Sequence, residues 1–354
     1  MNSTGLHLVK STDVRALASG LVTWLTELDA DPFEAPLVLT PGAGMQRWLS
    51  QRIARETGAA GEGICAGVRF EPLSRLVEIV SGLDPADDPW APQRLVWHVL
   101  ALAEAHTPGL EPLRHHLAAS DQRYANASRV ASLLDRYARL RPDLLLRWSD
   151  ADAVDDLGLG FDAWQAVLWR NLHSVVAGPD PVERRQGLIA DLLAGRRQLD
   201  APGVALFCPR ALTAPTAELL AAVASERRIS AWLHVAGPAD SVNPLSKRLG
   251  TRGAETAALL QAQAASVVHL EARSRPGTLL GAVQQDLADG RVPRVRSGLG
   301  DDRTIDVRSS HGLDRQAEVL RDALAGLLAD DPSLEPRDMV VACPDPALLT
   351  PYLQ

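Results

Sequence analysis

Two short apolar runs, Leu37–Thr40 and Val204–Phe207, are separated by roughly 160 residues in which apolar side chains recur almost throughout at helical spacing. Runs of four to eight apolar residues bounded by turn residues mark strands buried on both faces of a parallel sheet. Four more such runs stand at residues 6–9, 229–235, 304–307 and 339–342. Most are followed by an amphipathic pattern: Val14, Leu17, Leu21, Val22, Leu25 and Leu28 share one helical face, as do Leu320, Leu324, Leu327 and Leu328. Alternating strand and helix predicts an α/β fold with a parallel sheet. The long interval predicts a large all-helical insertion, with helices at about 71–81, 90–105, 109–119, 127–147, 161–177 and 181–195, punctuated at 84–88, 149–156 and 178–181.

This gives four expected segments: 1–85 as the first part of the α/β domain, 86–200 as the insertion, 201–300 as its second part, and 301–354 as the start of a further, truncated domain. Residues 274–303, rich in Gly, Pro and Arg, read as a linker. The strand–helix–strand unit expected at 304–343 cannot cover both faces of a sheet alone: either it joins the first sheet, or the chain is a fragment of a longer protein, the reading favoured here. No apolar run approaches the 18 or more residues of a membrane helix, and residues 1–30 lack a signal-peptide core. The expectation is a cytoplasmic protein without membrane contact.

The basic residues decide which chemistry is excluded. Of 36, only Lys10 and Lys247 are lysines. A phosphate loop needs Gly-Lys-Ser/Thr, and the lysines follow Val9 and Ser246. A nuclease of the D…(D/E)xK type needs a carboxylate two residues before its lysine, where Leu8 and Leu245 stand. There is no H-E-x-x-H, no G-x-S-x-G and no GxGxxG. Cys65, Cys208 and Cys343 are too scattered for a disulfide framework or a CxxC metal site. No catalytic residue, cofactor or metal is expected in this chain, and the adjacent His115 and His116 point to different faces of a helix.

Three features point to binding instead. The turn Thr40-Pro41-Gly42-Ala43-Gly44 follows the second strand, where open α/β sheets hold ligands, and its glycines let a phosphate approach backbone N–H groups. A bare strand-to-helix turn explains the same pattern. Arg47, Arg52 and Arg55 follow it, with Trp48 on the apolar side. In residues 123–147, Arg123, Arg129, Arg136, Arg139, Arg141 and Arg147 face only Asp135 and Asp143. The net charge of the chain is −8, so this is a local basic patch, suited to phosphate or equally to a solvated helix face. Of the eight tryptophans, most fall at core spacing, and Trp48 alone is placed near a functional surface.

Taken in order, these segments resemble the RecC family, the gamma subunit of exodeoxyribonuclease V. The resemblance is carried by Asp31-Pro32-Phe33, Gly44-Met45 and Trp48-Leu49; by Leu133, Asp135, Tyr137, Arg141-Pro142-Asp143 and Trp148; and by Ala163-Trp164-Gln165 and Leu168-Trp169. It continues through Asn243-Pro244-Leu245, Leu249-Gly250, His311, Glu318-Val319-Leu320 and Pro336-Arg337-Asp338. Members are about three times as long, so the likeness is to the amino-terminal third.

The resemblance implies a RecA-like fold of the superfamily 1 helicase type that has lost ATPase chemistry, with the 40–44 turn in the place of a degenerate phosphate loop. It implies RecB-like and RecD-like partner subunits, which would hold the ATP and magnesium, and a double-stranded DNA end with its single strands as substrate. It implies a non-catalytic subunit that splits duplex DNA in double-strand-break repair and recombination and guides the 3′-ended strand past a Chi-reading surface. Residues matching the channel motifs are Gly44, Trp48, Leu133, Asp135 and Arg141. Arg47, Arg136 and Arg184 join them on charge and neighbourhood. The turn is poorer in polar side chains than in the best-known members, which bears on base reading more than on strand splitting. Two alternatives stand beside this reading: an AddB-like subunit of a two-subunit helicase–nuclease, and an α/β enzyme holding a nucleotide in the 40–44 turn.

Overall fold

The computed structural model describes residues 4–28, 31, 33–58, 63–118, 121–149, 163–273, 275, 277–293 and 302–353. The expected punctuation at 150–156, part of the expected linker and Pro32 lie outside the described residues. Two compact units are present: residues 1–274 with 286–293, and residues 275–285 with 294–354.

The first unit is built on a six-stranded, all-parallel sheet in the order β3-β2-β4-β5-β1-β6. Its strands are β1 (Gly5–Ser11), β2 (Leu37–Thr40), β3 (Arg69–Pro72), β4 (Val204–Phe207), β5 (Arg228–His234) and β6 (Ala264–His269). The central strands are apolar at nearly every position because both faces are covered. Leu37, Leu39, Val204, Leu206, Ile229, Ala231 and Leu233 pack on one side with α3 (Leu76–Ser81), α9 (Pro181–Leu193), α10 (Ala214–Ala224) and α12 (Thr251–Gln263). The alternate residues Val38, Ala205, Phe207 and Trp232 pack on the other with α1 (Val14–Thr26) and α2 (Ala43–Thr57). Gly20 in α1 is required there: a Cβ would lie 2.5 Å from the Trp232 ring.

Between α3 and β4 the chain forms a helical layer: α4 (Pro92–Glu104), α5 (Glu111–Ala118), α6 (Arg123–Leu140), α7 (Pro142–Ser149), α8 (Ala163–Val175) and α9. It has its own core around the buried Trp90, Trp148 and Trp169. The indoles keep their donors satisfied, Trp90 Nε1 by the Gly178 carbonyl (3.2 Å) and Trp169 Nε1 by Ser149 Oγ (3.0 Å). Helix α9 belongs to both cores. Val182 is buried in the helical one, and Leu188 and Leu192 are buried against the sheet. Past β5 lies α11 (Pro244–Leu249), whose N-cap Asn243 is buried and donates to the Arg291 carbonyl at 2.8 Å. No helix among the described residues is long and apolar enough to cross a membrane.

Four expectations are corrected. The runs at 304–307 and 339–342 form no strand among the described residues; they flank α14 (Gly312–Asp330) as exposed, irregular chain, with Val307 and Val340 88% and 91% exposed. An extended apolar run becomes a strand only where a ladder receives its backbone groups, and neither finds one. Conversely, β3 and β6 are strands that the apolar pattern did not mark. The sequence of β3, RFEP, is half polar and ends in proline, as an edge position tolerates. Strand β6 follows α12 without a breaking residue and is largely exposed at the opposite edge. The interval between Leu37–Thr40 and Val204–Phe207 is therefore broken by a strand near its start. The stretch read as a linker contains α13 (Leu279–Ala288).

Candidate nucleic-acid interface

The connection leaving β2 runs outward to β3, whereas the one leaving β4 runs inward to β5. The crevice between the carboxyl ends of β2 and β4 is thus a topological switch point, where open α/β sheets bind ligands. One wall is the turn Thr40-Pro41-Gly42 entering α2. A Cβ on Gly42 or Gly44 would meet nothing within 4 Å, so this protein's own packing does not require either glycine. Gly42, the N-cap of α2, supplies no side-chain cap, which leaves the first N–H groups of a 15-residue helix to an outside acceptor. The other turn of this kind, from β1 into α1, differs: Asp13 places its carboxylate on the Arg15 N–H (2.8 Å), where an anion would sit.

Arg47 is exposed and has no hydrogen-bond or ion-pair partner among the described residues; neither has Arg210, just past β4. Trp48 is half-buried, its ring centroid 6.4 Å from that of Phe207. Cys208, next after Phe207, has a left-handed backbone (φ 45°), and burial pushes its thiol pKa up to about 11.

The loop from Cys208 runs six residues to Thr213, the N-cap of α10, whose hydroxyl accepts from the Thr216 N–H (3.3 Å). Thr213 and Thr216 line a cavity of about 410 Å³ whose other polar walls are Ser74, Arg136, Arg139 and Arg185. No carboxylate among the described residues lines it. Arg185 is 8% exposed, donates to the Ala138 carbonyl at 3.1 Å and makes no ion pair among the described residues; burial draws its pKa down, with Glu218 and Asp180 opposing. A buried guanidinium without a paired carboxylate is costly unless an anion joins it.

The sequence-selected residues thus fall into two groups. Gly44, Arg47 and Trp48 lie on α2 at the crevice. Leu133, Asp135, Arg136 and Arg141 lie on α6 or at its end, and Arg184 on α9, in the helical layer. Their states differ. Leu133 is half-buried. Asp135 is ion-paired to Arg139; burial pushes its carboxyl up, with Arg139 opposing and the nearby Asp88 adding to the rise. Arg141 donates to both oxygens of Asp143 at 3.1 Å, which holds that carboxyl down. Arg184 makes two bonds to Asp88, at 2.7 and 2.9 Å. Arg123, Arg129 and Arg147 are engaged by Glu104, Asn126 and Asp143. Arg136 alone among these six arginines of the basic segment has no partner among the described residues, and it faces the cavity.

Arg185 and Arg210 were not selected from sequence, and Arg139 entered only as one arginine of the basic segment. For Arg185 a signal exists: it falls on the apolar stripe Val182, Leu188, Leu192 of α9, where a charge is out of place.

The arrangement defines a parallel α/β protein with a helical insertion and an arginine-lined groove beside the sheet's carboxyl edge. The family described as RecC, N-terminal domain, matches residues 6–240. The RecBCD enzyme subunit RecC of Mycobacterium tuberculosis is 37% identical over 96% of this chain and 34% of its own length. That of Mycolicibacterium smegmatis is 35% identical over 98% and 34%. That of Escherichia coli is 29% identical over 40% of this chain and 13% of its own length. The chain belongs to the RecC family, and it spans about a third of the length of the mycobacterial relatives it matches.

Proposed function

We propose that this chain is the DNA-handling part of a RecC-type subunit, acting in double-strand-break repair and recombination beside RecB-like and RecD-like partners. It splits a duplex end and guides the 3′-ended strand without chemistry of its own. The observation that carries this reading is the cavity walled by Arg136, Arg139 and Arg185 with no carboxylate among the described residues facing it. Guanidinium forks suit phosphodiester oxygens, and a helix N-terminus capped only by hydroxyls adds to the attraction.

We read the sheet as an inactivated RecA-like domain. Its support is the all-parallel order with the first strand inside the sheet, and two lysines placed where neither serves a phosphate loop; Lys10 instead donates to Gln261 Oε1 at 3.1 Å. ATP and magnesium then belong to the partners. Chi reading, if this chain takes part in it, rests on Trp48, Leu133 and Asp135 more than on the bare glycine turn. Membership of the RecC family favours this reading over an AddB-like subunit.

The test is binding to a forked duplex with a 3′ single-stranded tail. Arg136→Ala weakens binding severalfold, whereas Arg141→Ala, already neutralised by Asp143, has the smaller effect. A folded protein with no affinity at low salt overturns the DNA-handling assignment for this chain.

A further inference from the structure

Where α8 gives way to α9, three side chains with metal-ligating atoms converge. His173 lies in the last turn of α8, Asp180 is the N-cap of α9, and Glu183 is its third residue. One ligand atom from each falls within 4.8 Å of the others.

Each group retains one atom that the helix does not use. Asp180, 2% exposed, receives the Val182 and Glu183 N–H groups on Oδ1. Glu183 receives the Asp180 N–H on Oε2 at 3.1 Å. That leaves Asp180 Oδ2 and Glu183 Oε1. The His173 ring is held 5.0 Å from both Trp90 and Trp169, centroid to centroid. Its Nε2 is buried, lies 3.2 Å from Asp180 Oδ2, and yet makes no hydrogen bond. With the ring neutral, a nitrogen and an oxygen at that separation with no hydrogen bond between them are not held by their own attraction. They are well explained as neighbours on one ion, because two ligands at about 2.0–2.1 Å in tetrahedral geometry stand about 3.3 Å apart.

We propose that His173 Nε2, Asp180 Oδ2 and Glu183 Oε1 form a divalent metal site that fastens the end of α8 to the start of α9. Two carboxylates and a neutral imidazole carry charge −2, which a divalent cation cancels. The imidazole favours a first-row ion of the zinc class over calcium or magnesium. The positive end of the α9 dipole opposes a cation, but as a partial charge at a helix end it is outweighed by two full carboxylate charges. Glu183 is exposed and gives the ion a route in, and the ligand count leaves a fourth position for water. The site closes the short loop between α8 and α9, which carries Gly178 and, through the Gly178 carbonyl, the Trp90 indole.

The test is titration of the chelator-stripped chain with zinc by calorimetry, and with cobalt by visible absorption, which reports coordination number. One zinc per chain is expected, with a four-coordinate cobalt spectrum. His173→Gln and Glu183→Gln each weaken binding about 10-fold or more. Zinc raises the melting temperature of the unsubstituted chain by more than that of either variant at the same zinc concentration. Asp180 is left intact because it caps α9, and exposed Glu183 gives a variant whose folding is not in question. Absence of stoichiometric zinc, or zinc binding indifferent to both substitutions, overturns the site and leaves a capping box beside an ion-paired histidine.

Discussion

Arg184 and Arg185 are adjacent in sequence and opposite in circumstance. Adjacent helical residues point about 100° apart, so Arg184 reaches the Asp88 carboxylate while Arg185 turns into the buried stripe of α9. Sequence reasoning favoured Arg184, because a count of charges cannot tell a committed arginine from an available one. Removing Asp88 tests the commitment. Asp88→Ala leaves the largely buried Arg184 guanidinium unpaired and is expected to lower stability by about 1–3 kcal/mol in urea denaturation. A loss below a few tenths would mean that water replaces the carboxylate.

Cys208 offers a second residue-scale check. Its pKa of about 11 stands above the ordinary 9.0 because burial disfavours the thiolate. The unfolded thiol therefore ionises first, and this group's contribution to stability is lost as pH rises from about 9 through 11. At pH 8 the thiolate fraction is about 100-fold below that of a thiol at the ordinary 9.0, so iodoacetamide labelling followed by mass spectrometry should find Cys208 modified far more slowly in the folded chain than in urea. Labelling of Cys208 at the rate of an unfolded thiol would contradict its placement.

At the scale of elements, legibility followed burial. Strands β2, β4 and β5 were readable because both faces are covered and their runs are almost wholly apolar, and β1 from the short run Leu6–Val9, of which Leu6 and Leu8 are buried. The edge strands β3 and β6 were not, since an edge needs apolar residues on one face at most and can carry Pro72. The runs at 304–307 and 339–342 show the converse: β propensity without a neighbour gives extended chain. The helices of the insertion were readable from their period, except that the one helix expected over 127–147 is two, α6 and α7, parted at Arg141-Pro142 because proline breaks the helical hydrogen-bond run. Trp24, Trp90, Trp148, Trp169 and Trp232 are buried as core spacing predicts, Trp164 is half-buried against the helical core, and Trp97 is 62% exposed. The helical core is also the place to test whether the layer stands as a unit. Leu134 is 2% exposed among Val99, Ala131 and Trp148 in the helical cluster. Leu134→Ala should cost about 2–5 kcal/mol, with the loss seen in circular dichroism as earlier melting. A loss under about 1 kcal/mol would show that α6 is not held by that core.

At the scale of the whole first unit, the question is whether the crevice at β2 and β4 and the arginine cavity act together. The sequence could not relate them, because the two groups of candidate residues lie on different elements about 90 positions apart. The loop from Cys208 to Thr213 relates them: it starts at the crevice, passes the unpaired Arg210, and ends at the cavity. Six residues span at most about 20 Å, the length of a few nucleotides of extended single strand. If one strand passes both, Arg47 and Arg136 each neutralise a phosphate of the same ligand. Each phosphate contact on single-stranded DNA contributes about 0.7 to the slope of log affinity against log salt. Arg47→Ala and Arg136→Ala should then each flatten that slope by about 0.7, and the double variant by about 1.4, when binding to a single-stranded tail is followed from low to moderate salt. Flattening by Arg136→Ala with no change from Arg47→Ala would confine the ligand to the cavity and separate the glycine turn from DNA handling.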